Sequence, residues 1–276
     1  MPELPEVETV CRGLRVPLVG KILTSVEARR ADLRGPLPVD MAERLTGRRV
    51  RSVERRAKYI LITLDDGAVL IAHLGMSGRF TITQGRPNRL EAHDHVLFET
   101  EDGAFLRYND ARRFGSMTLS TVDQLADHPL LRDIGPEPLD DAFDGSVLAA
   151  ALHGRMTPIK AALLDQKTVA GVGNIYASEA LFQARLSPRR LAATVTGVRA
   201  GRLVASIKQV LHRAIAAGGS TLRDHVQPSG ELGYFQHEWA VYGREGQPCP
   251  GCDCGSGIQR MVQSNRSTFY CPKRQR

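Results

Sequence analysis

The chain opens Met1-Pro2-Glu3-Leu4-Pro5-Glu6-Val7-Glu8-Thr9-Val10-Cys11, a stretch that joins a reactive end group to the start of a helix. Proline behind the initiator methionine is expected to become the mature N-terminus, because Met1 is readily removed before a small side chain. Its secondary amine has a reference pKa of about 8, so a useful fraction is neutral near pH 7. A neutral amine can attack an electrophilic carbon and form an iminium. Glu3 and Glu6 stand close by as proton donor and acceptor. Pro5 suits a first helical turn, and Val7, Val10, Cys11 and Leu14 recur at the spacing of one helix face. The terminus is therefore expected on a helix packed into a core. Taken alone, the same residues also suit an ordinary helix start, where acidic groups complement the helix dipole.

Outward from that helix, residues 17–120 read as β-rich. Apolar runs at 59–64 and 68–74 flank Asp65-Asp66-Gly67, and runs at 96–99 and 104–108 flank Asp102-Gly103, both hairpin signals. Runs apolar on both faces suggest two sheets packed together. A β-sandwich carrying the first helix is expected over 1–132. Asp133-Ile134-Gly135-Pro136-Glu137-Pro138-Leu139 interrupts any regular element and is expected to link the domains.

Beyond the linker the period becomes helical, so a helical domain is expected over 140–240. Thr157-Pro158 reads as a cap opening a helix through Lys160, Leu163 and Leu164. Ala170-Gly171-Val172-Gly173-Asn174 breaks it, with Asn174 capping the next helix. A third helix is expected from about 198 to 217, with Leu203, Ile207, Val210, Leu211 and Ala214 on one face and Gly218-Gly219 ending it. The Gly-x-Gly-Asn turn sets backbone N–H groups at a helix N-terminus, which suits an anion or simply turns a helical hairpin. The polar stretch from Ser220 to Tyr234 reads as a loop that closes over a ligand, or as a plain disordered connection.

The 276 residues suffice for two cores, and 42% hydrophobic with 24% charged residues fits a globular protein. No leader and no 18-residue apolar run stand in the sequence, so neither a signal peptide nor a membrane span is expected, and the location is expected to be cytoplasmic. A net charge of +7 favours an anionic partner, nucleic acid first. Cys11 belongs to the apolar helix face and reads as core. Cys249, Cys252, Cys254 and Cys271 cluster in the last segment, 241–276, as a metal site would. The second knuckle, Cys271-Pro272-Lys273-Arg274, has Arg where a paired cysteine would stand, while the first carries three cysteines. Four thiols still match one structural Zn2+ ion, with Cys252 or Cys254 replacing the lost ligand; the alternative is a hairpin held by packing alone. Arg260 to Arg276 holds five basic and no acidic residues, expected to lie against phosphates or to form a solvated tail.

Seven motifs in order then carry a resemblance: Pro2-Glu3-Leu4-Pro5-Glu6-Val7-Glu8, Arg56-Ala57-Lys58-Tyr59, His73-Leu74-Gly75-Met76-Ser77-Gly78, Asp110-Ala111-Arg112-Arg113-Phe114-Gly115, Gly171-Val172-Gly173-Asn174-Ile175-Tyr176, Gly233-Tyr234-Phe235 and Arg266-Ser267-Thr268. Almost the full length resembles the formamidopyrimidine-DNA glycosylase family, bifunctional enzymes that excise oxidised purines from DNA. The resemblance implies a multidomain α+β fold: an N-terminal β-sandwich with its helix, and a C-terminal helix-two-turn-helix domain with a zinc-finger β-hairpin. It implies a monomer acting on double-stranded DNA that contains oxidised purines, 8-oxoguanine opposite cytosine among them.

The resemblance also implies roles. Pro2 would attack C1′ of the extruded nucleotide, Glu3 would donate the proton that opens the sugar, and Glu6 would assist. Lys58 would serve β-elimination and Arg266 δ-elimination. Met76, Arg112 and Phe114 would fill the gap left by the extruded base. His93, Arg112 and Arg155 match DNA-contacting positions, and Lys58, Lys160, Asn174 and Arg266 would grip phosphates. The loop from Ser220 to Tyr234 would cover the flipped base. An endonuclease VIII-like enzyme would begin Pro-Glu-Gly-Pro, unlike this chain. A non-catalytic damage binder would not need Pro2, Glu3 and Lys58, and a tautomerase-type enzyme would leave the basic C-terminal half unexplained.

Overall fold

The first helix forms where the apolar spacing demands it. In a computed structural model of the chain, which describes residues 1–220 and 234–276, α1 spans Leu4–Leu18 and buries Val7, Val10, Cys11 and Leu14. Burial pushes the Cys11 thiol up to about 12, and its Sγ lies 3.5 Å from the Glu54 carbonyl. It is a packing residue.

Two compact groupings of residues follow, Met1–Arg132 with Ala217–Gln236, and Asp133–Ala216 with His237–Arg276. In the first, the chain runs through β1 (Leu23–Ala28), α2 (Met41–Leu45), β2 (Val50–Arg56), β3 (Tyr59–Leu64), β4 (Ala68–His73), β5 (Arg79–Gln84), β6 (Asp94–Thr100), β7 (Ala104–Asn109) and β8 (Ser116–Thr121). These strands make two four-stranded sheets, ordered β1-β6-β7-β5 and β2-β3-β4-β8, with every pairing antiparallel. The expected hairpins are β3–β4 and β6–β7. Both sheets and α1 share one core, in which Leu14, Val26, Ile62, Leu70, Phe98 and Leu106 meet. That shared core makes the unit a sandwich.

The second unit contains α3 (Gly145–Leu152), α4 (Ile159–Leu164), α5 (Asn174–Gln183), α6 (Gly197–Ala216), β9 (Gln259–Gln263) and β10 (Arg266–Tyr270). All five apolar residues expected on one face of α6 are buried. Two helix starts differ from expectation by one residue. Pro158 is itself the cap of α4, with ψ 142°, and extended Gly173 caps α5, so Asn174 is its first helical residue. A glycine cap carries no side chain, which leaves the Asn174 amide for tertiary partners. The β9–β10 hairpin turns through Ser264 and Asn265 at φ 49° and 59°, the left-handed pair that a two-residue turn requires and that asparagine tolerates. Of the expected covering loop, residues 221–233 lie outside the described residues; its two ends, Ser220 and Tyr234, form an antiparallel bridge. Among the described residues no helix is long and apolar enough to cross a membrane.

α5 is buried from Ile175 to Phe182, including Glu179. The Glu179 carboxylate accepts N–H groups from Ala240 at 2.8 Å, Val241 at 3.0 Å and Tyr242 at 2.8 Å. Burial pushes its pKa up, against the pull of those three donors. A buried carboxylate without donors is costly, so this contact ties the segment leading into the hairpin to α5. Replacing Glu179 by Gln turns an amide donor toward backbone donors. We expect a loss of about 2 kcal/mol in chemical denaturation, with faster amide exchange at Ala240–Tyr242; unchanged protection there would contradict this role.

Candidate active site

The end of α1 that carries Pro2 is held by a reciprocal cap. The Glu3 N–H donates to Glu6 Oε2 at 2.8 Å, and the Glu3 side chain receives the Glu6 N–H. Glu6 Oε1 accepts the Ser220 N–H at 2.8 Å. Glu3 and Glu6 are each only 3% exposed, and Pro2 is buried beside them. Met1 is 43% exposed, so its removal uncovers the Pro2 nitrogen without opening the core. Both Glu6 oxygens hold backbone groups. Its expected assistance in catalysis is therefore better described as positioning.

Lys58 sits in the two-residue turn between β2 and β3, 7% exposed, after Ala57 at φ 52°. Arg55 steadies that turn. Its Nη1 donates to the Ala57 carbonyl at 3.2 Å, and its Nε donates to Glu8 of α1 at 3.3 Å. This couples the lysine turn to the helix that carries Pro2. Sequence alone gives neither Arg55 nor Glu8 a role of its own, since only their pairing across α1 and β2 distinguishes them from surface charges.

Met76 and Phe114 are 39% and 43% exposed, and one buried acid organises their loops. Asp110, fully buried, accepts the Ser77 hydroxyl at 2.5 Å, the Gly115 N–H at 2.8 Å and the Tyr108 hydroxyl at 3.4 Å. Ser77 Oγ in turn accepts the Arg112 N–H at 3.1 Å. Burial, then the Asp110 charge, lifts Tyr108 well above the usual phenol range, so it remains a donor. The loops touch backbone to backbone: a Cβ on Gly75, which has φ +63°, would fall 2.3 Å from the Phe114 carbonyl carbon. The Arg112 guanidinium lies over the Phe114 ring at 4.7 Å. Exposed His93 stands at the edge of this cluster, its carbonyl accepting the Asp110 N–H at 3.0 Å. Asp110 had one sequence signal, an acid closing an apolar strand just before a glycine-ended loop.

In the second unit, Lys160 is 1% exposed. Its Nζ donates to Asn174 Oδ1 at 2.7 Å, the Ser267 carbonyl at 3.0 Å and Thr268 Oγ1 at 2.7 Å. The expected grip of Lys160 on phosphate does not fit, because an ammonium has three hydrogens and all three have acceptors inside the protein. The lysine instead locks the first turn of α5 against the strand that begins with exposed Arg266. Asn174 Nδ2 also donates to the Ser267 carbonyl at 3.0 Å. Arg155 is half-buried and paired with Asp165 at 2.8 Å.

The sulfurs of Cys249, Cys252 and Cys271 lie within 4.8 Å of one another. Cys271 Sγ is 3.5 Å from Cys252 Sγ and 3.7 Å from Cys254 Sγ. Desolvation, then hydrogen bonds with the thiols of Cys254, Cys249 and Cys271, pushes Cys252 up to about 12. The cluster could hold a metal ion. Arg274, in place of a second cysteine of the last knuckle, bridges to the first: Nη1 donates to the Gly251 carbonyl at 2.7 Å. Its guanidinium stacks on Phe182 at 4.9 Å.

Comparison with known proteins places this arrangement. Residues 1–117 match the formamidopyrimidine-DNA glycosylase N-terminal domain, and residues 134–226 match the formamidopyrimidine-DNA glycosylase H2TH domain. The chain is 59% identical to the formamidopyrimidine-DNA glycosylase of Rhodospirillum rubrum, with both chains covered in full. The chain belongs to the formamidopyrimidine-DNA glycosylase family. Its fold superposes on that of the MutM (Fpg) protein from Thermus thermophilus, with TM-score 0.87, 43% identity and 99% and 98% of the two chains covered. A Lactococcus lactis Fpg solved with DNA containing an abasic site gives 0.88 at 36% identity, covering 99% of both. The motifs around Pro2, Lys58, Met76, Arg112 and Asn174 thus stand in a glycosylase-family fold.

His73, beside Lys58, offers a titration. Burial, then the charges of Lys58 and Arg34, lowers its pKa from 6.5 to about 4. Neutral Nδ1 accepts the Gly75 N–H at 3.0 Å, orienting the Met76 loop. The folded value lies below the unfolded one, so this contribution is complete above about pH 6.5 and is lost as pH falls toward 4. We expect the His73 ring to titrate near pH 4 by NMR. Between pH 6.5 and 4 the parent should lose stability more steeply than a His73→Gln variant; equal slopes would refute the assignment.

Proposed function

We propose that this chain excises oxidised purines, formamidopyrimidines and 8-oxoguanine opposite cytosine, from duplex DNA and cleaves the resulting abasic strand, with Pro2 as nucleophile. The observation that carries the reading is the buried reciprocal cap between Glu3 and Glu6, which fixes the chain's first two residues beside two carboxylates. Lactococcus lactis Fpg has been solved with abasic-site DNA and with Fapy-dG DNA, which supports damaged duplex DNA as the partner here.

In the proposed reaction, the neutral Pro2 nitrogen forms a bond to C1′ as the glycosidic bond breaks and the base departs. Glu3 donates a proton to the ring oxygen, which opens the sugar and leaves an iminium between Pro2 and C1′. The iminium acidifies the C2′ hydrogen. Lys58 takes that proton as the 3′ phosphate leaves, and a second elimination assisted by Arg266 releases the 5′ phosphate. Glu6 holds the cap while Glu3 works. Met76, Arg112 and Phe114 enter the emptied stack, apolar groups filling it while the arginine fork faces the orphaned cytosine. His93 and Arg155 contact the DNA backbone, and Asn174 does so through its main-chain N–H at the start of α5, its amide being held by Lys160, Ser267 and Tyr242.

The division of labour is proposed along the chain: catalytic sandwich 1–132, linker 133–139, helix-two-turn-helix domain with the covering loop 140–240, and hairpin 241–276. The enzyme works as a monomer in the cytoplasm, on the nucleoid. One structural zinc ion binds Cys249, Cys252, Cys254 and Cys271. A tetrahedron with zinc–sulfur bonds of about 2.3 Å has edges of about 3.8 Å, close to the two sulfur separations at Cys271. Bound there, the ion would brace the hairpin that presents Arg266.

Borohydride reduction during reaction with 8-oxoguanine–cytosine duplex should trap a covalent enzyme–DNA adduct, and Pro2→Gly should abolish it. An adduct of undiminished yield from Pro2→Gly would sink the mechanism. Metal analysis of the purified parent should give one zinc per chain, with Cys252→Ser and Cys254→Ser each well below one. Full zinc content in either variant would remove that thiol from the ligand set.

A further inference from the structure

At the end of α5 away from Asn174, the second unit opens into a cavity of about 550 Å³ whose lining contains no acidic residue. Arg185 and Arg190 reach it from the segment after α5. Arg199 and Arg202 reach it from the first turns of α6, and Lys273 and Arg276 from the C-terminal segment. Arg274 joins them beside Gly251. The ion pairs of this unit lie elsewhere, at Arg155–Asp165, Lys167–Asp133, Arg213–Glu238 and Arg260–Glu245. Among the described residues none of the seven cations is paired with a carboxylate. Two guanidinium N–H groups here, Nε of Arg190 and of Arg274, are buried without an acceptor.

The cluster is held in place. The Arg276 N–H donates to the Arg185 carbonyl at 3.3 Å. Buried Gln275 donates to the Leu186 carbonyl at 3.0 Å and accepts the Cys271 N–H at 2.8 Å. Crowding seven like charges works against folding unless an anion screens them. None of the duties proposed for Pro2, Lys58, Asn174 or Arg266 uses any of the seven.

We propose that this cavity is a second phosphate-binding surface, which takes the phosphodiester backbone of nucleic acid beyond the stretch held at the lesion. Forked guanidinium groups suit phosphate oxygens. The lining offers one apolar side chain, Leu186, and that is buried, so an acidic protein would find no apolar anchor of the kind interfaces use. A single phosphate would leave most of the cations unused. α5 has ten residues, which at about 1.5 Å each separate this surface from Asn174 by roughly 15 Å. The phosphates are therefore different ones, supplied by flanking duplex or by a second duplex. This rests on the reading of the chain as a DNA enzyme.

The test uses the full chain carrying Arg199→Ser, Arg202→Ser and Lys273→Ser, all at exposed positions, with circular dichroism melting to confirm folding. Excision from a short lesion duplex of about one helical turn should match the parent. Binding to a long undamaged duplex should lose up to about 0.9 in salt slope per missing contact, so the parent-to-variant affinity ratio should shrink by up to roughly 40-fold between 50 and 200 mM salt. On a long lesion duplex KM should rise. A separate long duplex added to the short-substrate reaction should inhibit the parent more than the variant if the second segment comes in trans, and equally if it is only flanking DNA.

Parallel salt slopes for parent and variant would overturn the proposal. So would loss of short-duplex excision in the folded variant, because the surface would then belong to the lesion site. Arginine-dependent binding of a polyglutamate peptide, with unchanged DNA slopes, would assign the cavity to an acidic protein and likewise overturn it. If the parent itself fails on the short lesion duplex, the glycosylase reading fails instead.

Discussion

Each oxygen of the Glu6 carboxylate accepts a backbone N–H, one from Glu3 and one from Ser220, and the position of Pro2 depends on this arrangement. A carboxylate buried to 3% exposure costs several kcal/mol unless its lone pairs are met. The chain on both sides therefore has little freedom to move away. One donor lies next to Pro2, the proposed nucleophile, and the other stands 214 residues beyond Glu6, at the stem of the segment that follows α6. A charge kept inside the protein converts a floppy terminus into a fixed one. That fixity is what an amine needs if it is to meet a carbon held on another molecule.

The same device recurs wherever a functional loop must hold its shape. Asp110 gathers Ser77, Tyr108 and Gly115 beneath the exposed Met76 and Phe114. Glu179 gathers three consecutive N–H groups at the root of the hairpin. Lys160 inverts the sign, an ammonium surrounded by three oxygens. In every case a fully satisfied buried charge specifies one local geometry, while apolar packing alone would tolerate several. The exposed residues proposed to act on DNA, Met76, Arg112, Phe114 and Arg266, are each carried by a segment that such a hub anchors.

The C-terminal hairpin solves a related problem with fewer resources. With one cysteine of the usual pairing replaced, Arg274 spans the two knuckles and stacks on Phe182, while Cys254 brings a fourth sulfur within 3.7 Å of Cys271. The guanidinium lies so close over Gly251 that a Cβ there would fall 2.6 Å from its central carbon. The arginine thus acts as an organic crosslink beside the thiols. It also contributes to the unpaired positive charge on that flank of the unit.

The sequence by itself determined the elements and the reactive groups. The apolar spacing of Val7, Val10, Cys11 and Leu14 placed α1, the Asp-Gly turns at Asp66-Gly67 and Asp102-Gly103 placed two hairpins, and the proline behind Met1 marked the proposed nucleophile. These signals are local, and local periodicity follows directly from backbone geometry. Tertiary structure alone decided which polar residues work and which only hold. Glu6 sits in the motif of Pro2 and Lys160 in the helix before Asn174, yet their charges are met by backbone and side-chain partners up to 214 residues away. The roles of Asp110, Arg55, Glu8 and Glu179 follow from no periodicity, because a buried hydrogen-bond hub is defined by what converges on it in space. The cationic cavity was legible only in part: the basic run ending at Arg276 supplies three of its charges, and folding alone adds Arg185, Arg190, Arg199 and Arg202, with no acidic side chain in the lining.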